Sequence, residues 1–222
     1  MIIHRLTLMR NLIKKTFLII DTADSLVNIS CYNDKSDSFE NFVSTIKNAQ
    51  NEELCDKVDD ILLKNNLKIN EIEVFGINIG PGSFTGVRTG MSYISSILQF
   101  NKNIGIVKFD TFDMMYFDIY EVMMNEEIGI IIKLSQNDYY LKSYPKCEVL
   151  HFTDIDLLNK KISCFDKIFL SNPNNEIIHA NKLQINQSSN IGLQRAFMYY
   201  YKDMYYIANN EILAPFYLKE HY

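Results

Sequence analysis

The run Gly80-Pro81-Gly82-Ser83-Phe84-Thr85-Gly86-Val87-Arg88-Thr89-Gly90 holds four of the chain's eight glycines within eleven residues. It follows a strand-like segment, Val74 to Ile79, and leads into a pattern in which Val87, Met91, Ile94 and Leu98 recur at helical spacing. A glycine-rich turn at that place lets backbone approach another group closely, at the positive end of a helix dipole. The group is either a phosphate or another part of the protein. Standard phosphate motifs fit poorly. A P-loop needs a lysine after its last glycine, and Val87 follows Gly86. A nucleophile elbow needs glycines two residues either side of its serine, and Pro81 stands in one of those positions beside Ser83. GxGxxG is missed by one residue, Thr85, although Asp110 stands where a ribose-binding acid would. Pro81 also removes one amide donor from the loop.

Other residues with chemical potential are less organised. Asp21 ends an apolar segment before the turn Thr22-Ala23-Asp24-Ser25, a position suited to capping the turn or to contacting an ion. Arg88 in the first turn of a helix opposes the macrodipole by roughly 0.3–1 kcal/mol when exposed. It therefore calls for an intrachain acid or carbonyl, an acidic partner residue, or an anion. Cys31, Cys55, Cys147 and Cys164 form no CxxC and read as reduced, mostly buried thiols. His4, His151, His179 and His221 are scattered, with neither HxxxH nor HExxH, so no metal is expected. Asp138, Asp154, Asp156 and Asp166 show no spacing that singles out an acid–base pair. Phe197, Tyr199, Tyr200, Tyr201, Tyr205 and Tyr206 could stack bases, but Leu193, Phe197, Tyr200 and Met204 keep helical spacing, which favours a core role.

These residues sit on alternating strands and helices, an α/β pattern. Phe17–Asp21 and Leu26–Tyr32 read as a hairpin, Glu52–Leu67 as an amphipathic helix, and Glu73–Ile79 as a strand. Leu54, Val58, Ile61 and Leu62 line one face of that helix, and Asn51 is placed to cap it. Phe84–Phe100 is the glycine-loop helix, followed by a strand at Ile104–Asp110. Further strands are expected at 128–134, 139–144, 147–152 and 167–170, with a closing helix at Leu193–Ile207. At 222 residues with 47% apolar composition the chain can bury a sizeable core. A formal charge of −5 argues against binding a polyanion unaided. The stretch Phe17–Ile20 is too short for a secretory core, and nothing later approaches membrane-spanning length, so a cytoplasmic protein is expected. Residues 1–15 carry basic residues and no acid; the lack of serine speaks against an organelle-targeting segment, and they read as a frayed extension or as sequence ahead of a translation start at Met9.

Gly80 to Gly90 resembles the GPGSFTGxRxG signature of the bacterial TsaB (YeaZ) family, nearly letter for letter. Phe17 to Thr22 is similar to the family's opening strand ending in Asp-Thr. Gln50-Asn51-Glu52-Glu53-Leu54 resembles its Gln-His-Ser-Glu-x-Leu, and Pro215 to Lys219 its closing Pro-x-Tyr-Leu-Arg. The resemblance is good over residues 16 to about 118 and thin beyond; Lys133-Leu134-Ser135 stands where a family Asp-Ala-Arg is expected. It implies an actin-like ATPase (ribonuclease H-like) fold, with an N-terminal subdomain at 16–118 and a divergent one at 119–222. The boundary is expected between Asp118 and Asn125. It also implies a degenerate nucleotide site, because Ala23 replaces the glycine of an Asp-x-Gly phosphate loop, leaving Asp21 as a weak candidate and no cofactor expected.

The implied role is a non-catalytic subunit for threonylcarbamoyl transfer to the tRNA adenosine beside the anticodon. Such a subunit would dimerise with the catalytic paralogue TsaD, have the ATPase TsaE at the junction, reach tRNA only through the complex, and pair with itself when alone. On that analogy the signature and docking residues are Glu53, Leu54, Val58, Ile61, Gly80, Pro81, Gly82, Ser83, Phe84, Thr85, Gly86, Arg88 and Gly90. Two other readings stay open: a small actin-fold ATPase or kinase-like enzyme using Asp21 and the glycine loop, and a glycoprotease-type peptidase.

Overall fold

The computed structural model describes residues 14–119, 126–171, 177, 179, 181–184, 189–201, 204–206 and 215. Residues 1–13 of the N-terminal extension, the 120–125 part of the expected boundary, and residues 216–219 of the closing motif lie outside these. The chain runs β1 (Phe17–Asp21), β2 (Asn28–Asn33), β3 (Ser38–Val43), α1 (Gln50–Lys64), a 3-10 turn (Ile69–Glu71), β4 (Val74–Asn78), α2 (Phe84–Leu98), β5 (Gly105–Phe109) and α3 (Thr111–Ile119). It continues through β6 (Ile128–Ser135), β7 (Asp138–Tyr144), β8 (Val149–Phe152), α4 (Ile155–Ile162), β9 (Lys167–Leu170), β10 (Lys182–Gln184), α5 (Asn190–Tyr200) and β11 (Tyr205–Tyr206).

Two mixed sheets result, ordered β11-β5-β4-β1-β2-β3 and β10-β9-β6-β7-β8. In the first, β1 pairs antiparallel with β2 and parallel with β4, β2 pairs antiparallel with β3, and β4 is parallel to β5. The second repeats the plan: β6 is antiparallel to β7 and parallel to β9, β7 is antiparallel to β8, and β9 is parallel to β10. One topology used twice is the two-lobed actin-like ATPase (ribonuclease H-like) fold.

β1 is buried on both faces, which is why Phe17-Leu18-Ile19-Ile20 is a continuous apolar run rather than an alternating one. Leu18 and Ile20 pack against α1 and α2, with Leu54, Val58, Ile61, Met91 and Ile94. Phe17 and Ile19 face the other way, against Met114 and Phe117 of α3 and Leu193 and Phe197 of α5. Helix α5 and strand β11, which pairs antiparallel with β5, therefore belong to the first sheet although they come late in the chain. A cut at residue 118 does not separate the lobes, because the first sheet's second helix layer is supplied from residues 190–200. Helix α3 is shared: Phe112 and Met115 pack with Ile130, Ile132 and Tyr140 of the second sheet.

Three expectations are corrected here. Asn51 does not cap α1, which starts at Gln50 after Ala49; its side chain accepts instead from Thr89 Oγ1 of α2 at 2.5 Å, tying the two helices. Helix α2 ends at Leu98 and α5 at Tyr200, each short of the expected end. Of the cysteines only Cys31 is buried, and burial pushes its thiol up to about 12; Cys55, Cys147 and Cys164 are exposed.

Candidate functional site

The glycine loop approaches the β1–β2 turn of its own chain. Gly80, with φ +99°, turns the backbone away from β4, and its N–H donates to Asn78 Oδ1 at 3.0 Å. Ser83 N–H donates to Ala23 O at 2.6 Å, and Ser83 Oγ caps α2 by accepting from Gly86 N–H at 3.2 Å. Thr22 Oγ1 donates to Gly86 O at 2.7 Å. A Cβ on Gly82 would lie 2.1 Å from Ala23 O, and one on Gly86 would lie 2.0 Å from Thr22 O. Loop and turn are thus in backbone contact, which only glycine permits.

That contact decides how the loop relates to phosphate. The N–H groups of Gly80, Ser83, Gly86 and Val87 are each paired within the chain, and Pro81 has none. On the turn, Ala23 N–H donates to Asp21 Oδ1 at 2.9 Å, and the Ala23 carbonyl oxygen points into the loop. A phosphate between loop and turn would meet the Ala23 carbonyl oxygen and the close backbone contact at Gly82 and Gly86. The residues present do not fit a nucleotide phosphate between loop and turn.

Asp21 ends β1 fully buried. Its Oδ1 accepts from Ala23 N–H and from Asn78 Nδ2, both at 2.9 Å, and Asn78 in turn bonds Thr111 Oγ1. Asp21 Oδ2 has no protein partner, and neither polar atom of the Asn28 side chain, directly across the β1–β2 pair, has one. Burial outweighs the two hydrogen bonds and pushes the Asp21 carboxyl up to about 7.

Of the expected docking residues, Leu54, Val58, Ile61, Gly86 and Gly90 face the chain's own core. A Cβ on Gly90 would sit 2.5 Å from Thr22 Oγ1 and 3.1 Å from Ile77 Cδ1. Gly90→Leu is therefore expected to overpack and to lower stability by about 1–3 kcal/mol, measured by denaturant unfolding. Glu53 accepts from the Ser44 hydroxyl. Besides Ser83, which caps α2, the outward-facing members are Phe84, 60% exposed, together with Thr85 and Arg88. They border an open groove of about 570 Å³ between α1 and α2, also lined by Leu54, Cys55 and Tyr93. The Arg88 guanidinium carbon lies 3.7 Å from the Phe84 ring centroid, a cation–π contact within α2's first turns.

A second cluster had no signal in the sequence beyond Asp110. Lys142 Nζ donates to Asp110 Oδ2 at 2.7 Å and to Asp113 Oδ1 at 2.6 Å. Tyr144 OH and Tyr200 OH donate to the two oxygens of Asp113, each at 2.5 Å. Burial and the neighbouring Asp113 push the Asp110 carboxyl up to about 6, against the pull of Lys142, whose own ammonium the two carboxylates hold above its usual range. The remaining aspartates act locally. Asp154 caps α4, Asp138 bonds Ser135 and His151, and Asp166 accepts from Glu127 N–H. Phe197 is fully buried, as its helical spacing requires, and Tyr200 is half-buried against Asp113. Among the described residues no group of three or more His, Cys, Asp or Glu is arranged to hold a metal, and no helix is long and apolar enough to cross a membrane.

No protein-family model matches the chain. The chain is 29% identical over 83 residues to the tRNA threonylcarbamoyladenosine biosynthesis protein TsaB of Haemophilus influenzae, covering 37% of this chain and 35% of that one. It is 26% identical over 132 residues to the TsaB of Buchnera aphidicola subsp. Baizongia pistaciae, covering 60% and 59%. These matches thus span between about a third and three fifths of the relatives' length. Among solved structures, YeaZ from Pseudomonas aeruginosa superposes with a TM-score of 0.71 at 13% identity, over 92% of this chain and 100% of that one. A second structure, described as an uncharacterized protein with similarity to peptidase YEAZ from Pseudomonas aeruginosa, gives 0.68 at 14%, with the same coverage. In sequence over part of its length, and in fold over most of it, the chain is similar to TsaB (YeaZ) proteins.

Proposed function

We propose that this protein is a cytoplasmic, non-catalytic subunit for threonylcarbamoyl transfer to the tRNA adenosine adjacent to the anticodon. The observation that carries the reading is the seal between glycine loop and β1–β2 turn. The site where an actin-like ATPase would hold phosphate is filled by the chain's own backbone, while the same loop's helix turns Phe84 and Arg88 outward. An aromatic–arginine pair beside an open groove suits a protein partner, since Arg and aromatic residues concentrate interface energy. The partner is the catalytic paralogue TsaD, with TsaE docking at the junction and a second copy of this chain taking its place when TsaD is absent. With a formal charge of −5, tRNA contact falls to the complex rather than to this subunit.

Reconstitution of tRNA threonylcarbamoylation with and without this chain tests the role. Product is expected only with it, and equal product without it would sink the proposal. Phe84→Glu should weaken association with TsaD by tenfold or more, about 1.4 kcal/mol, with an unchanged melting temperature because the ring is exposed. Co-purification and thermal melts read the two effects separately.

One observation favours a second reading, a small ATPase. Asp21 is a buried carboxyl with an unpartnered oxygen and a raised pKa, features that concentrate at functional sites. Nucleotide turnover by the isolated chain, abolished by Asp21→Asn, would establish it. The peptidase reading has no nucleophile–base pair among the described side-chain contacts to support it.

A further inference from the structure

We propose that Asp110, Asp113 and Lys142 form an ionic lock that fixes the angle between the two lobes. The three groups come from both sides of the lobe junction. Asp110 follows β5 of the first sheet, Asp113 lies in the first turn of the shared helix α3, and Lys142 is on β7 of the second sheet. Tyr144, two residues along β7, and Tyr200, on α5 of the first lobe, complete the cluster. The side chains of Lys142, Asp113 and Asp110 are 7%, 6% and 12% exposed.

Every carboxylate oxygen in the cluster is used. Asp110 Oδ1 accepts from Asp113 N–H at 2.7 Å and Oδ2 from Lys142; Asp113 Oδ1 accepts from Lys142 and Tyr144, and Oδ2 from Tyr200. A shift of one lobe by a few ångströms would strand an ammonium and two carboxylates away from both partners and water, a costly intermediate. The surrounding contacts of Phe112 and Met115 with Ile130 and Ile132 are apolar and non-directional, so they tolerate sliding. The stack of Tyr116 on Tyr144, with centroids 4.0 Å apart and planes 3° from parallel, seats the same strand on α3. The ionic cluster thus supplies the angle, and the apolar layer supplies the adhesion. The two lobes are thereby held in one arrangement.

The exposed Cys55 on α1 and Cys164 after α4 lie in different lobes and accept spin labels once Cys147→Ser removes the third exposed thiol. Pulsed electron–electron distance measurement on the full chain should give one narrow distribution. In the variant Asp110→Asn, Asp113→Leu, Lys142→Met, the Asn keeps the α3 cap and no buried charge of the cluster remains. Its distribution should broaden about twofold, while hydrogen-exchange protection within each sheet is retained. An unchanged width in that variant, or a broad distribution in the parent, overturns the lock. Should the triple variant not fold, Asp110→Asn alone removes one of the two ion pairs of Lys142 and keeps the α3 cap; it too must broaden the distribution, and an unchanged width there overturns the lock as well.

Discussion

Gly86→Ala is expected to cost about 3 kcal/mol of stability, an unusually large effect for one added methyl group. Helix propensity alone predicts the opposite sign, since alanine is favoured over glycine in a helix by about 0.8–1.0 kcal/mol. Geometry wins because the new Cβ would lie 2.0 Å from Thr22 O and 3.2 Å from Thr22 C. Both atoms are backbone, so no rotamer change relieves the clash. The helix start must instead withdraw from the β1–β2 turn, breaking the Thr22 Oγ1 bond to Gly86 O and loosening Ser83 N–H from Ala23 O. Urea unfolding of Gly86→Ala beside Ser92→Ala, an exposed position on the same helix, separates the terms. The second variant should change stability by no more than about 0.5 kcal/mol. A neutral or stabilising Gly86→Ala would mean that the loop is not seated on the turn, and the reading of a filled phosphate site would fall with it.

The same contact shows what was and was not legible in the sequence. Glycine density and the strand–turn–helix setting already said that backbone had to come close to something, but the partner, Thr22-Ala23, lies some sixty residues earlier and carries no mark of its own. Elements whose burial leaves a simple sequence pattern were readable. β1, buried on both faces, is a continuous apolar run, and α1 carries a single apolar face. Elements that leave no such pattern were not. Helix α3, Thr-Phe-Asp-Met-Met-Tyr-Phe-Asp-Ile, has no clean period because it presents one face to each sheet. Strand β3 is a half-exposed edge whose Ser-Phe-Glu-Asn-Phe-Val lacks the run or alternation of a buried strand. The Lys142 cluster was invisible for a different reason. Its ion pairs span 29 and 32 residues and its two tyrosine bonds span 31 and 87, so only the fold brings the groups together. Arg88 was readable as a cation in need of compensation, but its stacking on Phe84, one turn earlier, was not among the compensations expected.

Asp21→Asn is expected to stabilise the protein at alkaline pH and to do nearly nothing at acid pH. In the folded chain burial holds the Asp21 carboxyl at about 7, against an ordinary value of 3.8. Below the ordinary value both folded and unfolded chains carry the proton, and no stability depends on it. Between the two values the folded chain keeps a proton that the unfolded chain releases, so stability falls as pH rises and levels off above about 7. A shift of roughly three pH units sets an upper bound of about 4 kcal/mol on that fall, at 1.36 kcal/mol per unit. Asparagine has no proton to lose, and its side-chain oxygen can accept from Ala23 N–H and Asn78 as the carboxyl oxygen does. The variant's stability should therefore gain on the parent by about 2–4 kcal/mol between pH 4 and pH 8. Asp110, pushed up to about 6 by burial, adds a slope of the same sign to both proteins and cancels in the difference. Denaturant unfolding at several pH values reads the effect directly, and parallel profiles for parent and variant would refute it. The outcome also bears on function. A carboxyl that prefers its proton near neutrality is poorly disposed to hold a magnesium ion, which requires the charged form. Magnesium at pH 8 should accordingly leave the parent's unfolding midpoint unchanged, whereas an ion-dependent rise abolished by Asp21→Asn would revive the ATPase reading.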